Sequence, residues 1–187
     1  MAILRGLSPS ETVELACRAW DLGIGAVEVP IETPAAVPSL RAAVAVAWER
    51  GRVVGAGTVF TPEQVKAAVE SHARFTVAPG LEPDVLRASE KAGLPHLPGV
   101  ATPTDVLQAV RLGCTWVKAF PATSLGPAWF TALRGPFPDV RFVATGGIDA
   151  RNAEEYLRAG AAAVAVGSAL ADPDQLPLLA ALTKPAP

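Results

Sequence analysis

The feature that most constrains the fold is a repeated alternation of short apolar runs with helix starts along the whole chain of 187 residues. Near-continuous apolar runs are typical of strands in a parallel sheet that is covered on both faces. Eight strand–helix units predict a compact (β/α)8 barrel of the TIM type, with an open doubly wound sheet as the alternative. The predicted strands span residues 2–4, 25–30, 53–58, 75–78, 96–97, 115–120, 141–144 and 163–166.

The helix starts carry capping signals. Ser8-Pro9, Thr61-Pro62 and Thr102-Pro103 each place a hydroxyl at the cap, a proline in the first turn and an acid or amide three residues after the cap. Asp149 is predicted to cap the seventh helix. The predicted helices span residues 8–22, 33–50, 61–71, 83–92, 102–113, 127–133 and 149–160, with a last helix after Ser168.

Composition excludes several classes of protein. Half of the residues are hydrophobic and the formal net charge is −2, yet no apolar run approaches the roughly 18 residues that span a bilayer. No basic block suggests nucleic acid. We therefore expect a cytoplasmic protein that forms a single domain over residues 1–187, with a frayed tail at 184–187. Cys17 and Cys114 are expected to be reduced thiols.

Isolated residues argue against metal or cofactor chemistry. His72 and His96 stand alone, without neighbours at metal-ligand spacing, so neither a metal nor a cofactor is expected. Gly23-x-Gly25 precedes a strand, and the glycines at 55 and 57 lack a third glycine. A dinucleotide site is therefore a weak interpretation.

Lys118 is the residue with the clearest chemical potential. It lies inside an apolar run that ends at Pro121. Burial lowers the pKa of an amine and makes it a neutral nucleophile, which is what a Schiff base with a carbonyl substrate requires. The alternative is an edge-strand lysine whose charged end reaches water.

Other polar residues also fall where strands end, and the ends of barrel strands converge on one mouth. Glu28 is a candidate general acid or base for Lys118, or else a salt-bridge partner. Arg5 is a candidate cation for a carboxylate or phosphate, and Thr58 a further hydrogen-bond donor. Two glycine-containing turns after the last two strands match a barrel phosphate site, or are simply tight turns. The candidates at the strand ends are Arg5, Glu28, Thr58, Pro79, Lys118, Thr145, Gly146, Gly147, Gly167 and Ser168.

Seven short motifs, in order, resemble one family. They are Val27-Glu28-Val29, Gly55-Ala56-Gly57-Thr58-Val59, Ala78-Pro79-Gly80-Leu81, Pro98-Gly99-Val100, Val117-Lys118-Ala119-Phe120-Pro121-Ala122, Thr145-Gly146-Gly147-Ile148 and Val166-Gly167-Ser168-Ala169-Leu170. The chain is similar, from about Ile3 to about Leu170, to the 2-keto-3-deoxy-6-phosphogluconate aldolases, which overlap with the 4-hydroxy-2-oxoglutarate aldolases.

The resemblance implies a metal-independent class I aldolase that yields pyruvate and either glyceraldehyde 3-phosphate or glyoxylate. Lys118 would form the imine and Glu28 would move protons. Thr58 would hold the pyruvyl carboxylate, while Gly146, Gly147 and Ser168 would take a distal phosphate. Many members of the family are trimers, so the resemblance also implies a homotrimer.

The chain departs from the family at one position. Many members place an arginine four residues after the catalytic glutamate, and this chain has Glu32 there. Arg5 resembles a replacement cation. Two other functions stay open: a phosphosugar isomerase, epimerase or synthase that does not use Lys118 covalently, and a barrel that only binds a phosphate ligand.

Overall fold

Parallel strands alternate with helices throughout residues 1–183, which are the part of the chain that the computed structural model describes. The predicted tail at 184–187 lies outside the described residues. The strands are β1 (Ala2–Ile3), β2 (Ala26–Pro30), β3 (Val53–Gly57), β4 (Thr76–Val77), β5 (His96–Leu97), β6 (Gly99–Val100), β7 (Trp116–Ala119), β8 (Arg141–Thr145) and β9 (Ala163–Ala165).

These strands form the predicted (β/α)8 arrangement. They pair in parallel as two sheets, β1 to β5 and β6 to β9, each in chain order. The first and last strands are also joined, because the Ile3 N–H donates to the Val166 carbonyl at 2.8 Å and the Val166 N–H donates to the Met1 carbonyl at 3.0 Å. Eight strand positions therefore follow one another around a ring.

The predicted fifth strand is confirmed as β5, and a short strand that was not predicted, β6, follows it. The two are separated by Pro98, a residue that has no N–H to donate to a sheet. The carbonyl of Pro98 still accepts the Lys118 N–H at 2.8 Å, and the Gly99 N–H donates to the Gly80 carbonyl at 3.0 Å. The chain thus passes from one sheet to the other at this proline.

The helices follow the strands. Capping boxes are confirmed at Ser8, Thr61 and Thr102. The helices are α1 (Pro9–Asp21), α2 (Val37–Glu49), α3 (Pro62–Glu70), α4 (Pro83–Lys91), α5 (Pro103–Arg111), α6 (Ala122–Leu125), α7 (Pro127–Arg134), α8 (Ala153–Ala159) and α9 (Leu176–Leu182), and a 3-10 turn at Pro34–Ala36 leads into α2.

Two helix starts differ from the prediction. Asp149 does not cap α8: its Oδ1 accepts the N–H groups of Arg151 and Asn152, and this turn delays the helix until Ala153. The predicted last helix is α9, which begins only at Leu176, because Ser168–Ala171 first forms a 3-10 turn. This turn ends where Asp172 precedes a proline and is held extended, at φ −94° and ψ 109°.

The core lies between the ring of strands and the helices. Phe130 on α7 makes edge-to-face contacts with Phe142 on β8 and with Tyr156 on α8, at centroid distances of 6.3 and 5.6 Å. Such contacts fix the helix layer against the strands whose ends carry the polar residues. No helix in residues 1–183 combines the length and apolar character that crossing a membrane requires.

Candidate active site

Lys118 is buried inside the ring of strands. It lies on β7, opposite Gly99 of β6 in the sheet register, and is 3% exposed. Its Nζ lies 4.0 Å from Oε1 of Glu28 and 5.1 Å from the centre of the Phe120 ring. The alternative of an edge lysine that extends into water is therefore wrong for this residue.

Glu28, on β2, reaches Lys118 from the opposite side of the ring. It is fully buried, and neither carboxylate oxygen has a hydrogen-bond partner in the described structure. Gly57 makes room for it, since a Cβ added at Gly57 would lie 2.5 Å from Oε1 of Glu28. A carboxyl group with unfilled acceptor positions beside an amine is equipped to exchange protons with a bound molecule.

The pKa values of the two groups are shifted by burial. Burial lowers the pKa of Lys118, nearby Arg5 lowers it further, and Glu28 raises it. Burial raises the pKa of Glu28, while Lys118 and Arg5 lower it. Both shifts favour the uncharged form, so the pair holds an amine that can act as a nucleophile and a carboxyl group that can donate a proton.

Arg5 reaches the same region from the end of β1. Its Nη2 donates to Thr58 Oγ1 at 2.9 Å, and its Nη1 lies 3.2 Å from Glu32 Oε1. Glu32, the acid found where the family often has an arginine, is thus the counter-ion of the cation that could replace that arginine. Thr58 has a φ of 56°, a left-handed conformation that is uncommon for a threonine.

One cavity of about 610 Å³ joins most of the predicted residues. Those in its wall are Arg5, Lys118, Thr145, Gly146, Gly147, Gly167 and Ser168. Three predicted residues lie outside the wall. Glu28 lies behind Lys118, and Thr58 is linked through Arg5. Pro79 packs its backbone against Gly99, where an added Cβ would lie 2.2 Å from the Pro79 carbonyl, so it supports β6 and does not line the cavity.

The loop after β8 is shaped by its two glycines. Gly146 and Gly147 have φ values of 97° and 74°, which favour glycine. An added Cβ would lie 3.0 Å from the Phe120 ring at Gly146 and 2.5 Å from Thr123 Oγ1 at Gly147. This close packing brings a stretch of backbone to the cavity wall.

Several residues of the site were not predicted. Phe120 lines the cavity, and the signal for it was available, because residues two apart in a strand share a face and Phe120 follows Lys118 by two. Leu7 and Leu15, which also line the cavity, come from the loop before α1 and from α1 itself. No strand pattern could place them there. In residues 1–183 no three His, Cys, Asp or Glu side chains cluster as metal ligands do.

The fold and the site define a class of protein: an α/β barrel that holds a buried amine and a buried carboxyl group beside one cavity. A family model described as KDPG and KHG aldolase matches residues 1–181. The 2-dehydro-3-deoxy-6-phosphogalactonate aldolase of Escherichia coli is 34% identical over 171 residues, which are 91% of this chain and 83% of that protein. The 2-dehydro-3-deoxy-phosphogluconate aldolase of Pseudomonas aeruginosa is 39% identical over 137 residues, or 72% of this chain and 61% of that protein.

Solved structures of the same family are similar to this chain. The KDPG aldolase of Legionella pneumophila, with pyruvate captured as a covalent carbinolamine intermediate, superposes with a TM-score of 0.82 at 31% identity, over 97% of this chain and 91% of that one. The chain belongs to the KDPG and KHG aldolase family. It is accordingly an aldolase, an enzyme of the carbon–carbon lyase class.

Proposed function

We propose that the protein cleaves 2-dehydro-3-deoxy-6-phosphogluconate to pyruvate and glyceraldehyde 3-phosphate through a Schiff base on Lys118. The observation that carries this proposal is the buried Lys118–Glu28 pair, 4.0 Å apart, with Lys118 in the wall of the cavity. The carbinolamine formed by pyruvate in the Legionella pneumophila enzyme supports the covalent step.

Lys118 supplies the nucleophile. Its neutral amine attacks C2 of the keto acid, and a proton moves from the nitrogen to the former carbonyl oxygen to give the carbinolamine. The acid form of Glu28 then protonates the carbinolamine hydroxyl, which leaves as water, so that a protonated imine and the Glu28 carboxylate remain. The C4 hydroxyl then gives its proton to Glu28, directly or through water, as the C3–C4 bond breaks and the aldehyde leaves. The bonding electrons neutralise the imine and form an enamine.

Glu28 returns that proton to C3 of the enamine. Water then hydrolyses the protonated imine, which releases pyruvate and restores the free amine of Lys118, and the proton set free returns to Glu28. The distance of 4.0 Å between Nζ and Oε1 exceeds a hydrogen bond, so a substrate atom or a water molecule has room to mediate between the two groups.

The two ends of the substrate bind to different residues of the cavity wall. Arg5, oriented by Thr58, takes the carboxylate, since a guanidinium matches a carboxylate in shape and charge. The turns that contain Gly146, Gly147 and Ser168 take the phosphate through backbone N–H groups and a hydroxyl. Thr145, buried beside the first of these turns, also lines the cavity.

Trapping with borohydride tests the covalent step. The protein is incubated with pyruvate and sodium borohydride, and the mass of the intact chain and of its peptides is measured. We expect a pyruvyl-derived adduct on Lys118 and neither adduct nor turnover in Lys118→Met. An isomerase, epimerase or simple binding protein would give no adduct, and full activity in Lys118→Met would refute the mechanism.

A panel of substrates tests the specificity. The panel contains 2-dehydro-3-deoxy-6-phosphogluconate, its phosphogalactonate epimer, and 4-hydroxy-2-oxoglutarate, which lacks a phosphate and would give pyruvate and glyoxylate. We expect the highest kcat/KM with the phosphogluconate. A higher value with 4-hydroxy-2-oxoglutarate would leave the aldol chemistry intact and remove the phosphate from the proposal.

A further inference from the structure

The loop that lines the phosphate end of the cavity is held from behind by two side chains outside the cavity wall. The Gly146 carbonyl accepts hydrogen bonds from both the N–H and the Oγ1 of Thr123, at 3.2 and 3.3 Å. The Gly147 carbonyl accepts one from Nδ2 of Asn152, at 2.9 Å. Two consecutive carbonyl groups are therefore fixed.

Fixing a carbonyl also fixes the N–H on the other side of the same peptide bond. The peptide group is planar and trans, so the Gly147 N–H points away from the Gly146 carbonyl, and the Ile148 N–H points away from the Gly147 carbonyl. No group in residues 1–183 accepts a hydrogen bond from either of these N–H groups. Both residues line the cavity, whereas Thr123 and Asn152 do not.

Asn152 is itself held in place. Its Oδ1 accepts the Asp149 N–H at 3.0 Å, and its own N–H donates to Asp149 Oδ1 at 3.1 Å. The side chain of Asn152 makes no capping hydrogen bond to α8, although the residue occupies the cap position. The role of this side chain thus lies in the loop and not in the start of the helix.

We propose that Thr123 and Asn152 are positioning residues that aim the N–H groups of Gly147 and Ile148 at the substrate's phosphate. This inference rests on the proposed phosphate end of the substrate, and it adds the residues that organise it. Adjacent N–H groups that face the same side form a concave site for an anion. Without the two side chains the glycine peptides, which have the widest conformational freedom, could turn their carbonyl oxygens toward the phosphate.

The test compares three variants. Thr123→Val removes the hydroxyl and keeps the shape of the side chain, and Asn152→Ala removes the donor to Gly147. Thr131→Val is the matched control, since Thr131 also donates to a backbone carbonyl, that of Ala159 at 3.2 Å, but between α7 and α8. For each variant we measure KM for phosphorylated and unphosphorylated 2-dehydro-3-deoxygluconate, the inhibition constant of inorganic phosphate, and the borohydride-trapped pyruvate adduct on Lys118.

We expect Thr123→Val and Asn152→Ala to raise KM for the phosphorylated substrate and the inhibition constant of phosphate by about five- to tenfold, the size of one or two weakened hydrogen bonds. The adduct with pyruvate and the KM for the unphosphorylated substrate stay at wild-type values. Thermal unfolding confirms that each variant is folded.

Three results would overturn the inference. Thr123→Val and Asn152→Ala could both match Thr131→Val in phosphate inhibition, or they could weaken both substrates equally. A wild-type protein that forms the Lys118 adduct but is not inhibited by phosphate would also exclude it, while leaving the lysine chemistry standing. An absent adduct in the wild type would instead mean that the proposed function itself has failed.

Discussion

At the scale of single residues, the centre of the molecule is an amine and a carboxyl group buried together without further hydrogen bonds to the carboxylate oxygens. Burial of an incompletely paired ionisable group costs stability, because each charged form loses its hydration. A structural salt bridge would be expected to satisfy its carboxylate more fully. Leaving the oxygens of Glu28 open instead suits a group that must accept and return a proton at a substrate atom.

The pH dependence of adduct formation reports the pKa of Lys118 and the effect of Glu28 on it. Only the neutral amine reacts, so the rate of borohydride-trapped adduct formation rises with pH up to the pKa of Lys118, which burial holds below its ordinary value. The carboxylate of Glu28 raises this pKa, and its removal therefore lowers it. In Glu28→Gln we expect the rising limb to move to lower pH, while turnover with substrate falls by about 10²- to 10⁴-fold.

The control for this experiment is Glu63→Gln, which changes an exposed acid at the start of α3. This variant should leave both the pH dependence of adduct formation and the turnover with substrate unchanged. If the rise in adduct-formation rate moved to higher pH in Glu28→Gln, the claim that Glu28 raises the pKa of Lys118 would be contradicted. Wild-type turnover in that variant would exclude Glu28 as the proton carrier.

Arg5 and Glu32 make a second residue-scale prediction. The negative charge of Glu32 offsets the guanidinium that is proposed to take the substrate carboxylate. Glu32→Gln keeps an oxygen that can accept from Arg5 but removes the charge. We expect its KM for the keto acid to fall by about two- to fivefold, the scale of a partly exposed ion pair. Arg5→Ala should raise KM with little change in the yield of adduct at saturating pyruvate.

Thr58→Val is the control for Glu32→Gln, because it removes an uncharged contact of Arg5, whereas Glu32→Gln removes a charged one. A KM that rises in Glu32→Gln as it does in Arg5→Ala would show that Glu32 holds the arginine in place and does not compete for it. An unchanged KM in Arg5→Ala would remove Arg5 from the carboxylate site.

At the scale of elements, substitutions at two glycines of β3 are expected to affect different properties, stability at Gly55 and activity at Gly57. A Cβ at Gly55 would lie 2.2 Å from the Phe75 ring, and one at Gly57 would lie 2.5 Å from Oε1 of Glu28. Neither glycine has a positive φ, so the substitutions test space alone. We expect Gly55→Ala to reduce the free energy of unfolding by about 1–3 kcal/mol and to keep its kcat once folded.

Gly57→Ala is expected to behave in the opposite way. The clash is with the end of a flexible side chain, so the unfolding free energy changes less, but Glu28 is displaced and kcat falls about tenfold or more. Urea unfolding and steady-state kinetics on both variants check this. Equal losses of stability in the two variants would contradict the separation.

The elements also show how far the sequence could lead. A single charged residue inside each of two apolar runs predicted that Glu28 and Lys118 meet, because parallel strands converge on one mouth in a barrel. The pairing of Arg5 with Glu32 depends on the register of Ile3 with Glu28, which the sequence does not encode locally. The hydrogen bond from Asn152 to the Gly147 carbonyl could not be predicted either, because it depends on a turn at Asp149 that makes α8 begin only at Ala153.

At the scale of the whole molecule, the ring of strands brings together residues far apart in the chain. Arg5 and Ser168 line the same cavity because β1 pairs with the segment after β9, through the bond between the Ile3 N–H and the Val166 carbonyl. Loss of that junction would separate the two proposed ends of the substrate site without touching Lys118. Under the proposed binding mode, the closure of the ring is thus required to bring the two ends of the substrate site together.

The surface of the single chain leads to a prediction about assembly. Half of the residues are hydrophobic, and several large apolar side chains in residues 1–183 remain exposed, with Trp48 exposed by 85% and Leu107 and Val110 three residues apart on α5. Exposed apolar area of this kind is stabilised when copies of a chain associate. Together with the family resemblance, this predicts a homotrimer.

Native mass spectrometry and sedimentation at several micromolar concentrations measure the assembly. We expect a particle of three times the 19.3 kDa chain mass. Trp48→Lys and Val110→Lys, on α2 and α5, each place a charge on one candidate face, and the variant that lowers the mass identifies the face that is covered. A wild-type protein that stays at the mass of one chain at every concentration would exclude the trimer, and the exposed apolar side chains would then face water.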